Sequence, residues 1–95
     1  MGEDIVEKNR INSFHNTNLK QILEKAGITT LIMTGVATNY VVEATARHAS
    51  DDDYRVIVAE DCCSSMNQEV HDFSIKNIMP TLGVVTSSAE IIAAL

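Results

Sequence analysis

The chain has 95 residues, enough for one domain with a modest core. Asp and Glu outnumber Lys and Arg by 13 to 7, for a formal net charge of -6, which argues against a nucleic acid or an anionic membrane as partner. No stretch approaches the ~20 apolar residues of a membrane span, and the charged start MGEDIVEKNR lacks the apolar core of a signal peptide, so a cytoplasmic protein is expected.

Ile5 and Val6 are a candidate short strand. A polar loop from Asn9 to Asn16 holds Phe14. Asn16 or Thr17 is positioned to cap a helix whose apolar face is Leu19, Ile22, Leu23 and Ala26, spaced i, i+3, i+4, i+7. Gly27 supplies its left-handed stop. Thr29 to Thr34 (TTLIMT) is a continuous β-favouring run, as expected of a strand covered on both faces. Gly35 ends it. Thr38 or Asn39 is placed to cap the next helix, which runs to about Ser50 and should bury Val42, Thr45, Ala46 and Ala49.

Asp51, Asp52 and Asp53 read as a solvated helix-to-strand loop, since a metal site would need ligands converging from elsewhere. Tyr54 to Ala59 (YRVIVA) is a second buried strand, and Glu60 to Asn67 a loop. A helix from about Gln68 to Met79 should stop near Pro80. Gly83 to Thr86 is a last short strand. Ser87 opens the capping box S-S-A-E, closed by Glu90, on a helix burying Ile91, Ile92 and Leu95. Strands alternating with helices, joined by long crossovers, predict an α/β domain: a Rossmann-like parallel sheet with helices on both faces. Three firm strands leave an open parallel edge, so the chain should associate with a second copy or form part of something larger.

In open α/β sheets, ligands bind beyond the carboxyl ends of the strands. Two such ends stand out. Glu60-Asp61-Cys62-Cys63-Ser64-Ser65 is one, and its adjacent cysteines form no disulfide framework and read as small hydrophobes. Gly35 to Val41, leading into a helix, is the other, and its free N–H groups suit an anion or a developing oxyanion. A thiol just inside that helix would be activated, but the position holds Val41. His15, His48 and His71 lack ligand spacing and are expected in polar surface contacts. No metal or cofactor is expected.

Four segments together carry a resemblance: K-N-R-I-N-S-F-H-N-T-N-L, TTLIMTG, V-A-T-N-Y-x-V-E-A-T-A-R, and Y-R-V-I-V-A-E-D-C-C-S-S. They resemble the second half of the isochorismatase-like hydrolases, also called the cysteine hydrolase or nicotinamidase-type family, from about Asp4 to Leu95. The Asn-Thr of SFHNT and the ATN-x-x-VE-x-T block lean toward the ureidoacrylate amidohydrolase-like branch. The resemblance implies an Asp–Lys–Cys triad in which the cysteine attacks an amide carbonyl. Lys8 aligns with the family lysine and Val41 with the nucleophile. The Val36–Ala37 peptide aligns with a cis bond, and the amides of Ala37 and Val41 with the oxyanion donors. Val36, Thr38, Asn39 and Tyr40 fall at substrate-binding positions. The family aspartate belongs to the first half of the fold, and Asp4 does not replace it. Isochorismatases proper also lack the cysteine and hydrolyse an enol ether. Two functions therefore stand side by side: a hydrolase of a small amide, ureido or enol-ether compound, or a catalytically inactive truncated member serving as an oligomeric or ligand-binding module.

Overall fold

The computed structural model describes residues 3–95. Three parallel strands form one sheet in the order β1-β2-β3, with β1 at Thr30–Val36, β2 at Arg55–Ser64 and β3 at Val84–Thr86. Ile5 and Val6 form no strand, and Ile5 lies exposed.

The first helix, α1 (Leu19–Ala26), ends where expected: Gly27 adopts φ 70° and its N–H closes back on Glu24. An L side chain is disfavoured there, which is why glycine serves. The cap position is Asn18 rather than Asn16 or Thr17, and its side chain makes no cap bond; Thr17 Oγ1 accepts from the Leu19 N–H at 3.3 Å instead. No residue of α1 is fully buried; Leu19 and Leu23 rest partly on the core.

That core lies on one face of the sheet. Met33, Val56 and Val58 meet Val42, the residue before the helix α2 (Glu43–Asp51), and Ala46 and Ala49 of that helix, together with Ile75, Met79 and Phe14. All four residues expected on the α2 face, Val42, Thr45, Ala46 and Ala49, are buried. Their 3.6-residue spacing makes one stripe.

The other sheet face differs from expectation. Strand β1 buries only Met33, and Ile32 stays 46% exposed. Alternation places Ile32, Ile57 and Val84 on this face, where they line an open apolar pocket of about 410 Å³ with Ile91 and Ala94 of α5 (Ser88–Ala94). That helix buries nothing fully; Ile92 is 69% and Leu95 93% exposed. A continuous apolar run shows what a strand is ready to bury, not what covers it.

Two boundaries also move. Strand β2 continues through Ser64, because its register with β1 slips between Met33 and Gly35 and brings Cys63 opposite Gly35. Gly35 carries φ 133° at this slip, a conformation that favours glycine. The helix expected to stop at Pro80 instead runs α3 (Gln68–Phe73), a π-helical segment Ser74–Ile78 and α4 (Met79–Leu82). Pro80 sits in the first turn of α4, where no N–H is required of it. The capping box at Ser87 is half made: Ser87 Oγ accepts from the Glu90 N–H at 3.2 Å, while the Glu90 carboxylate takes the Thr86 hydroxyl.

Asp61, in the second half of β2, secures α5. Its carboxylate accepts the Ser88 N–H at 2.7 Å and the Ser88 hydroxyl. The Ser88 hydroxyl bond, more than any other contact, holds its pKa below the ordinary carboxylate value. A depressed folded pKa means the contribution is full above about pH 4, the unfolded value, and is lost as pH falls through the lower folded one. Asp61→Asn should therefore flatten the acid limb of a plot of melting temperature against pH. Identical acid limbs would show that Ser88 does not depend on the charge.

Candidate functional site

The turn from Val36 to Val41 lies at the carboxyl end of β1. The Val36–Ala37 peptide is cis. A π-helical turn, Thr38–Val42, follows, and the Ala37 carbonyl accepts from the N–H groups of both Tyr40 (3.1 Å) and Val42 (3.3 Å). The N-cap is Ala37, in extended conformation with no side-chain bond, rather than Thr38 or Asn39.

Those two side chains brace the turn instead. Thr38 is fully buried, and its Oγ1 lies 2.7 Å from His71 Nδ1 of α3. Asn39 Oδ1 accepts from the Ser65 hydroxyl at 2.9 Å, just beyond β2. Tyr40 and Val36 present most of their surface to solvent, at 54% and 72% exposed. Val41 is half-buried and packs against the core. Local periodicity could not reveal these braces, because each joins residues 26 or 33 positions apart.

Lys8 is exposed. Its Nζ donates to the Arg10 carbonyl at 2.8 Å, and it lines a polar pocket of about 240 Å³ with Glu7, Asn9 and Asn16. A larger opening of about 520 Å³ adjoins the turn and is lined by Asn39, Glu43, Glu69 and Phe73 among others. Neither Ala37 nor Val41 lines it.

The two cysteines differ. Cys62 is exposed, contrary to the expectation of a small hydrophobe, whereas Cys63 is buried. Burial pushes the Cys63 thiol above its ordinary pKa, the opposite of what activates a thiolate. Asp52 is not simply solvated either. It is half-buried, 3.4 Å from Lys20 and 3.1 Å from His48.

A family model described as the Isochorismatase domain matches residues 1–90. An uncharacterized isochorismatase family protein of Escherichia coli O157:H7, YecD, is 39% identical over 88 residues, covering 93% of this chain and 47% of its own length. The ureidoacrylate amidohydrolase RutB of Methylobacterium radiotolerans is 36% identical, covering 99% of this chain and 37% of itself. Among solved structures, an isochorismatase family protein from Burkholderia thailandensis superposes with a TM-score of 0.93 at 39% identity, over 95% of this chain and 47% of that one. The chain thus spans half or less of the length of these relatives. No helix among the described residues is long and apolar enough to cross a membrane.

Proposed function

The chain belongs to the isochorismatase family of hydrolases, and on that premise we propose that the turn from Val36 to Val41 is its substrate site, taking a small amide, ureido or enol-ether compound. The observation that carries this reading is the turn itself: it leaves the carboxyl end of β1 and runs straight into a helical N-terminus. Amide groups at such a position stabilise charge that develops on a carbonyl or ether oxygen. Ala37 and Val41 supply these donors, and Thr38, Asn39 and Tyr40 shape the rim. Valine cannot form a covalent intermediate, so water is the attacking species. The carboxylate that would deprotonate it has no counterpart in this turn and comes from another polypeptide segment. Lys8 serves as the positive group assisting that chemistry.

NMR shift mapping tests the site. Titration with a small carboxamide and a small enol ether should move the amides of Ala37, Asn39 and Val41 first. Shifts confined to other residues at millimolar ligand would refute it.

A second reading, the inactive module, is favoured by one specific observation: β1 is seven residues long and its outer edge pairs with no strand among the described residues. An unpaired edge is a template for a further strand, so the chain should self-associate. Light scattering at micromolar concentration checks this, and a monomeric mass counts against it.

A further inference from the structure

The loop that follows Lys8 is held to α2 by two sets of contacts. In one, Thr45 Oγ1 accepts the Ser13 N–H at 3.0 Å. In the other, Asn12 meets His48: Asn12 Nδ2 lies 2.8 Å from His48 Nδ1. The orientation of the Asn12 amide is dictated by its neighbour, because Oδ1 accepts the Phe14 N–H at 2.9 Å. The NH₂ group must then face His48, so Nδ1 must accept. His48 in this arrangement is neutral, with its proton on Nε2.

The far side of the ring offers the opposite environment. Nε2 lies 3.1 Å from Asp52 Oδ2. That oxygen is shielded from solvent, and no donor is aligned on it as a hydrogen bond among the described residues. Lys20 of α1 approaches the same oxygen at 3.4 Å. These are the charged groups that meet the ring: Asp52 from the end of α2 and Lys20 from α1. The loop contributes only neutral Asn12 and the Phe14 ring, stacked on the imidazole at a centroid distance of 4.6 Å, with Tyr54 6.1 Å beyond Phe14.

We propose that His48 is a proton-sensing latch on this loop: neutral, it anchors Asn12 in the orientation that holds the Phe14 amide; protonated, it reverses Asn12 and frees that amide. A proton on Nδ1 would set two donors, Nδ1–H and Asn12 NH₂, face to face. Turning the Asn12 amide over restores a bond by bringing Oδ1 to Nδ1–H, but it takes Oδ1 away from the Phe14 N–H. The Ser13–Thr45 contact contains no titrating group, so loosening is confined to the Asn12 side chain and the Phe14 amide. The latch lies outside the substrate turn and does not depend on whether the chain is catalytic.

The test is amide exchange on the isotopically labelled chain between pH 8 and pH 5, with His48 titration followed through its ring protons in the same samples. The Phe14 protection factor, corrected for intrinsic exchange, should fall about fivefold to tenfold as His48 takes up its proton, the expected effect of one lost hydrogen bond. The Ser13 amide should stay protected. Asn12→Asp presents acceptors to both Phe14 and imidazolium, and should abolish the pH dependence while keeping Phe14 protected. His48→Gln, which cannot take up the proton, should also make protection independent of pH. Constant Phe14 protection across the His48 titration would overturn the proposal, and so would a pH-dependent loss that persists in His48→Gln.

Discussion

Purified, this chain is expected to show no cysteine-type amidase turnover of nicotinamide, ureidoacrylate-like or carbamoyl amides. The reason is a single position. In the proposed site Val41 takes the nucleophile's position; it is half-buried against the core and chemically inert. Deleting the nucleophile of a catalytic triad lowers kcat by roughly 10⁶-fold in a well-studied hydrolase, and what remains comes from binding and oxyanion stabilisation. Neither cysteine restores the loss. The Cys63 thiol is buried and shifted away from the reactive thiolate, and Cys62 lies within β2 rather than on the helical turn. A thiol-directed inhibitor should accordingly label Cys62 but leave the peptide containing residue 41 unmodified in a mass spectrum. Steady amide turnover that disappears when Cys62 or Cys63 is alkylated would overturn this expectation and move the chemistry to the end of β2.

The largest effect on stability is expected at Gly83, between α4 and β3. A Cβ built there would lie 2.1 Å from the Val56 carbonyl oxygen and 2.8 Å from its carbon. The obstacle is close approach rather than conformation, since φ is 179° and any residue adopts it. Val56 is a central-strand residue, 1% exposed, and cannot retreat without displacing the core. Gly83→Ala should therefore cost about 3 kcal/mol or more, at the upper end of what overpacking produces. For a domain this size that lowers the melting temperature by about 12–24 °C. Gly27→Ala is the informative control. Nothing lies within 4 Å of its added Cβ, and only the left-handed φ opposes it, at about 1–2 kcal/mol. Thermal melts of the two variants separate the causes. Equal losses would mean that the Gly83 contact relaxes and that the joint between α4 and β3 is looser than its geometry.

What the sequence determined by itself was whatever short-range chemistry decides. The i, i+3, i+4, i+7 spacing marked the partly covered face of α1, though Ala26 stays exposed, the stripe Val42–Thr45–Ala46–Ala49 named the buried side of α2 and the residue before it, and Gly27 set a helix end, because each depends on residues within one or two turns. The block from Val36 to Thr45 marked the family for the same reason: its residues are contiguous. What the tertiary structure alone decided involves partners far apart in the chain. Strand β2 outran its expected end because Cys63 pairs with Gly35, 28 positions away. The expectation that β1 and α5 bury their apolar residues failed, since burial depends on what packs opposite, and the Ile32–Ile57–Val84 face is only partly covered. Thr38 became a brace on His71 rather than a cap, and Asp52 a half-buried partner of Lys20 and His48 rather than a solvated charge. A hydrogen bond between residues 33 or 36 apart leaves no periodic trace, so the fold could be read along the chain while the contacts around its site could only be seen across it.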